Sequence, residues 1–129
     1  MITQGDIAKI LYTDCQVFGL PIYQKDNTPK GKVTKERVVV FPKSGSVQRF
    51  WEKCYVEVNF CVPDIKGQAN LIRMDELERE AVKVLNRVSG TFDNTRYRYS
   101  KDSTSREEDT ELGCHFVNVR LLFEILNVE

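Results

Sequence analysis

Neither sign of charge is in excess in this sequence: Lys plus Arg number 19 and Asp plus Glu number 19. A dedicated nucleic-acid binder draws its affinity from neutralising phosphates and carries a bulk basic surplus; this chain lacks one. No apolar run approaches the roughly 20 residues that span a bilayer. The opening residues, MITQGD, have no basic region followed by an apolar stretch, so no secretory leader is read there. Histidine and tryptophan each occur once. The four cysteines, Cys15, Cys54, Cys61 and Cys114, show no framework spacing, which predicts reduced thiols in a cytoplasmic setting. The glycines at 31, 45, 67, 90 and 113 are isolated, so no phosphate-cradling loop is formed. A nucleophile elbow, an HExxH helix and an EF-hand loop are equally missing.

What remains is ordinary globular material. With 129 residues, 41% hydrophobic and 29% charged, the chain suits one domain with a core of its own. Residues 3–15 predict a helix: Thr3 and Asp6 form a variant of the capping box, and Ile7, Ile10 and Leu11 recur at helical spacing. Residues 16–23 are extended but interrupted by Gly19 and Pro21, hence an edge strand at best. Residues 24–36 (QKDNTPKGKVTKE) read as a polar loop. RVVVF at 37–41 reads as a strand covered on both faces, stopped by Pro42 and a turn at 44–46.

Strict alternation over 51–62 puts Cys54, Val56, Val58, Phe60 and Val62 on one face of a strand. Trp51, Lys53, Tyr55, Glu57, Asn59 and Cys61 fall on the other. Residues 69–88 predict one long amphipathic helix, with Met74, Leu77, Ala81, Val84, Leu85 and Val88 as its stripe and Gly90 as a left-handed cap. Each large apolar side chain buried there contributes about 1.5–3 kcal/mol. TRYRYS at 95–100 reads as a strand, and the wholly polar 101–111 as a solvated, mobile loop. A last long strand covers 113–126. The expected fold is α+β: a mainly antiparallel sheet packed against an N-terminal helix and the long central one.

Reactive chemistry finds little purchase. His115 is in phase with Val117 and Val119, which suits a half-buried structural histidine; a catalytic role would need a hydrogen-bonded partner. Cys54 and Cys61 fall on opposite strand faces, as do Cys114 and His115, so the cysteines read as small apolar residues rather than metal ligands. The acidic pair Asp75-Glu76 opens a helix, where negative charge suits the macrodipole. Two stretches could bind a partner. Lys25, Lys30, Lys32, Lys35 and Arg37 outnumber Asp26 and Glu36, and the segment is either a contact for phosphate or acidic groups or an ordinary solvated loop. Trp51 and Tyr55 are aromatics of the kind enriched at interfaces, or else cover for the sheet.

The order of a helix, a polar loop, ERVVVFP, YVEVNFCVPD, an amphipathic helix and HFVNVRLLFEIL resembles the tail-completion and tail-terminator proteins of long-tailed bacteriophages and prophages. That resemblance, which covers most of the chain, implies a non-enzymatic head-tail joining protein. It implies a homo-oligomeric ring, commonly of six subunits, in contact with other tail or connector proteins. Basic positions in such rings can face a DNA-containing lumen without sequence specificity, and the loops 24–36 and 101–111 occupy the matching places. The expected location is the cytoplasm during assembly and then the virion. No cofactor, metal, small-molecule substrate or membrane contact is expected. The competing reading is a small nucleic-acid-associated or regulatory module, using the basic loop and the strand Arg96-Tyr97-Arg98-Tyr99 to pair with phosphate and stack on bases. A small enzyme built around His115 is the third.

Overall fold

The computed structural model describes residues 2–48 and 51–126; the side chains of residues 44–48 and of Trp51 lie outside this description. Helix α1 spans Gln4–Asp14. Thr3 Oγ1 accepts from the Asp6 amide at 3.1 Å while the Thr3 amide donates to Asp6 Oδ2 at 3.0 Å, the reciprocal capping expected from the sequence. That hydrogen bond to the Thr3 backbone holds the Asp6 carboxyl below its ordinary value. A single-turn 3-10 helix, Cys15–Phe18, replaces the first half of the expected extended stretch. Only β1, Ile22–Gln24, is extended there, and it is an edge strand lying parallel to β2.

Strands β2 (Arg37–Gln48) and β3 (Trp51–Pro63) follow, then helix α2 (Leu71–Val84), then β4 (Val88–Phe92), β5 (Thr95–Asp109) and β6 (Cys114–Leu126). The sheet order is β1-β2-β3-β6-β5-β4, and every pairing except β1 with β2 is antiparallel. The fold is therefore α+β and sheet-rich. Among the described residues no helix is long and apolar enough to cross a membrane.

Both helices pack on one face of this sheet. Ile7, Ile10 and Leu11 of α1 and Met74, Leu77 and Ala81 of α2 join Val38, Val56, Val58, Phe60, Val117, Val119, Leu121 and Phe123 in one core. The alternation read from β3 and β6 is thus realised in space. Tyr99 belongs to this core, and its hydroxyl donates to Asp14 Oδ2 at 2.6 Å, tying β5 to the end of α1.

Four expectations are corrected. Pro42 does not stop β2, because a register shift between Pro42 and Gly45 absorbs it and pairing resumes to Gln48. The central helix is shorter than 69–88: it ends at Val84, Leu85 caps it, and Arg87 turns the chain with φ 57°. Gly90 is no cap but the middle of β4, where a Cβ would stand 2.6 Å from Tyr97 Oη; glycine is there for close approach. Residues 101–109 are strand, not mobile loop. They ladder onto β6 after a register shift between Lys101 and Ser103. Arg106 reaches Asp75 and Glu78 of α2, so ion pairs replace the apolar contacts that the sequence lacks. Since β4 pairs only with Thr95–Tyr99, this stretch is also a sheet edge. Its charged side chains guard that edge against indiscriminate pairing.

Candidate functional site

Among the described residues no helix lies on the opposite face of the sheet. Several of its cross-strand rows are polar. Lys53, Glu124 and Arg98 form one row, and Arg98 Nη2 lies 2.8 Å from Glu124 Oε2. Glu57 and Arg120 sit opposite each other, with Lys43 Nζ 3.2 Å from Glu57 Oε2. Asn118 Nδ2 donates to Asn59 Oδ1 at 2.7 Å. Opposite charges facing one another across strands each contribute a few tenths of a kcal/mol to about 1 kcal/mol. Tyr55, 36% exposed, lies under the Arg120 guanidinium, 3.8 Å from its ring centroid. The Trp51 side chain lies outside the described residues.

One corner of this face is covered, by residues 28–36. Val33 packs there with Val39, Cys61, Cys114, Leu112 and Phe116 in a second, small apolar cluster, and its amide donates to the Leu112 carbonyl at 2.8 Å. Arg37, the first residue of β2, points into the same corner. It is only 8% exposed. Its Nη1 donates to the Pro29 carbonyl at 3.4 Å, and its buried Nε has no hydrogen-bond partner. Glu36, the adjacent acid, is committed elsewhere, to Arg73 at 2.8 Å. A guanidinium carries its charge throughout the ordinary pH range, and a buried charge without a counter-ion is costly.

Arg37 lines a groove of about 280 Å³ together with Lys30, Lys32, Lys35, Pro29 and Tyr23. The structure thus brings together four of the five basic residues singled out in the sequence. Lys25 stands apart, with its Nζ 5.5 Å from the Phe41 ring centroid and a separate groove beside Asp26. Arg96 and Arg98 are distant from the Arg37 groove: they line another, of about 380 Å³, with Ser89, Gly90 and Leu126. The tyrosines between them are not free to stack on bases. Tyr97 and Tyr99 sandwich Phe123 at ring-centroid distances of 5.4 and 5.5 Å, and Tyr99 is buried.

The cysteines are all free and buried. Burial pushes the thiols of Cys15 and Cys114 up to about 12 and that of Cys54 up to about 11. Burial raises Cys61 too, against the opposing pull of the Arg37 charge. Such thiols are poor nucleophiles and poor metal ligands. Among the described residues no three of His, Cys, Asp and Glu gather as metal ligands would. Sequence reasoning missed Asp64, whose Oδ1 lies 2.6 Å from His115 Nδ1. Asp64 follows Pro63 at the end of β3, and only the register of β3 on β6 reveals that the two meet. The pair is three-quarters or more buried, and among the described residues His115 makes no hydrogen bond to a hydroxyl or thiol.

No family model and no curated protein matches this chain. A solved protein of no stated function overlays on it with a TM-score of 0.60 at 10% sequence identity, over 92% of this chain and 87% of the other. At that identity the likeness concerns the fold alone.

Proposed function

We propose that this protein is a structural assembly protein that works through contacts between subunits, in the manner of the phage tail-completion and head-tail joining proteins that its sequence resembles. The observation that carries the reading is the sheet face opposite the helices, a polar, ion-paired surface left open except at the Arg37 corner. In a two-layer domain the second sheet face normally meets solvent or a partner. Here it offers rigid strand positions rather than mobile loops.

Tyr55, on this open face, is 36% exposed beneath the Arg120 guanidinium, and half-exposed aromatics are enriched where proteins meet. Contacts between unlike surfaces of identical copies close into rings when the rotation allows it, and zero formal charge leaves little long-range repulsion between copies. The protein is read as non-enzymatic, because the raised thiols and the self-contained His115–Asp64 pair offer no activated nucleophile.

Native mass by light scattering over a hundredfold range of concentration tests this directly. A defined oligomer, or a stable complex with tail-tube or connector proteins, is the expected outcome. A monomer at every concentration that captures no such protein would remove the reading.

A further inference from the structure

We infer that the groove around Arg37 is the receiving half of a contact between two copies of this chain, filled by the carboxylates at the β5–β6 hairpin tip of the neighbouring copy. This rests on the assembly reading above and names the site at which it happens.

Three observations converge on it. First, the groove is strongly basic. Lys30, Lys32, Lys35 and Arg37 line it against one acid, Glu36, whose carboxylate is held by Arg73, and the buried Arg37 Nε has no hydrogen-bond partner. A planar guanidinium fork matches a carboxylate in two-point contact. Second, the chain carries a matching surplus of acid. Glu107, Glu108 and Glu111 at the hairpin tip are exposed, and among the described residues none of them is in an ion pair. Asp109 is different, since its Oδ1 accepts from the Leu112 amide and serves the turn.

Third, Arg37 and the tip glutamates do not reach each other within one copy. Arg37, Cys61, Phe116 and Glu107 stand in one row across the sheet, so two strands separate the arginine from the glutamate. At the usual strand spacing that is about 14 Å between their backbones. The tip is also held in place by the Val33 to Leu112 and Asp64 to Gly113 backbone hydrogen bonds, at 2.8 and 3.0 Å. Basic groove and acidic tip therefore share one corner of the molecule, with Lys32 beside Gly113 of the tip, and among the described residues no ion pair joins the groove's cations to the three glutamates. That corner is complementary to a second copy. A nucleic-acid backbone is the less suited occupant, because a polyanion laid over the groove would run onto the same glutamates.

Charge reversal tests the inference. The variants K30E/K32E/K35E and E107K/E108K/E111K are each expected to lose the oligomer on light scattering, with thermal melts near that of the parent. Mixing the two restores assembly, because each then meets the opposite charge. Arg37→Met weakens assembly at least tenfold, and raising sodium chloride from 0.05 to 0.5 M weakens the parent by a similar factor. Retention of the parental oligomer by both reversed chains would overturn this contact while leaving the assembly reading intact; a parent that is monomeric throughout would overturn both. Loss of binding to a single-stranded oligonucleotide by K30E/K32E/K35E, with its mass unchanged, would overturn the contact in favour of a nucleic-acid surface.

Discussion

The two faces of this sheet are made by the same strands, residue alternating with residue, yet they do different physical work. Beneath the helices lie Val56, Val58, Phe60, Val119, Leu121 and Phe123, each fully or almost fully buried. One residue along each strand, Tyr55, Glu57, Asn59, Asn118, Arg120 and Glu124 make ion pairs, amide hydrogen bonds and a cation–π contact at the surface. Packing energy is concentrated on the first face, so the second is free to carry recognition. Changes on the helical face should unfold the protein, whereas changes on the open face should leave it folded and alter what it holds.

The largest expected effect concerns the thiols, which lie on both sides of this divide: Cys15 and Cys54 in the main core, Cys61 and Cys114 in the small cluster. Raising a thiol from 9.0 to about 12, as for Cys15 and Cys114, lowers its thiolate population near neutral pH by roughly a thousandfold. Alkylation by iodoacetamide at pH 8 should therefore be slow on the native protein and rapid at all four positions in denaturant. The sign for stability follows. The unfolded thiols ionise first, so this contribution is intact below about pH 9 and is lost as the pH climbs from there toward 12. Rapid native labelling of Cys61 or Cys114 would show the open-face cluster to be looser than described.

Truncation of Phe60 to alanine on the helical face should cost about 3–5 kcal/mol in urea unfolding. Gly90→Ala forces a methyl group against the Tyr97 ring and should cost about 1–3 kcal/mol. Tyr99→Phe removes the hydroxyl that serves Asp14 and should cost about 1.5 kcal/mol. Arg98→Ala, on the open face, should cost less than about 1 kcal/mol, because the Arg98 side chain is half-exposed and its charge is screened by solvent. Should Arg98→Ala match Phe60→Ala, the distinction between the faces fails.

Much of the helical face was legible in the sequence, because period-two and helical patterns report burial directly. Cys54 through Val62 and His115 through Ile125 gave their faces correctly, and Thr3 gave the start of α1. The second half of β5 was not legible. KDSTSREED has no apolar residue, and its strand state comes from the β6 ladder and from Arg106 reaching α2, both non-local. The pair Asp93-Asn94, with φ of 49° and 61°, forms the tight turn between β4 and β5. That local signal, read as a hairpin, would have moved Gly90 from helix cap to strand. In the candidate site, the basic residues were visible as a charge run, but the buried Arg37 Nε and the Asp64–His115 pair exist only through tertiary register.

The central claim is that the open face, and the Arg37 corner in particular, is where this protein meets its own kind. Backbone hydrogen exchange compared between dilute and concentrated protein tests it most directly. Added protection at residues 30–37 and at 105–113, with α1 and α2 unchanged, is the result expected. Protection that appears on the helices instead, or nowhere, would contradict the account.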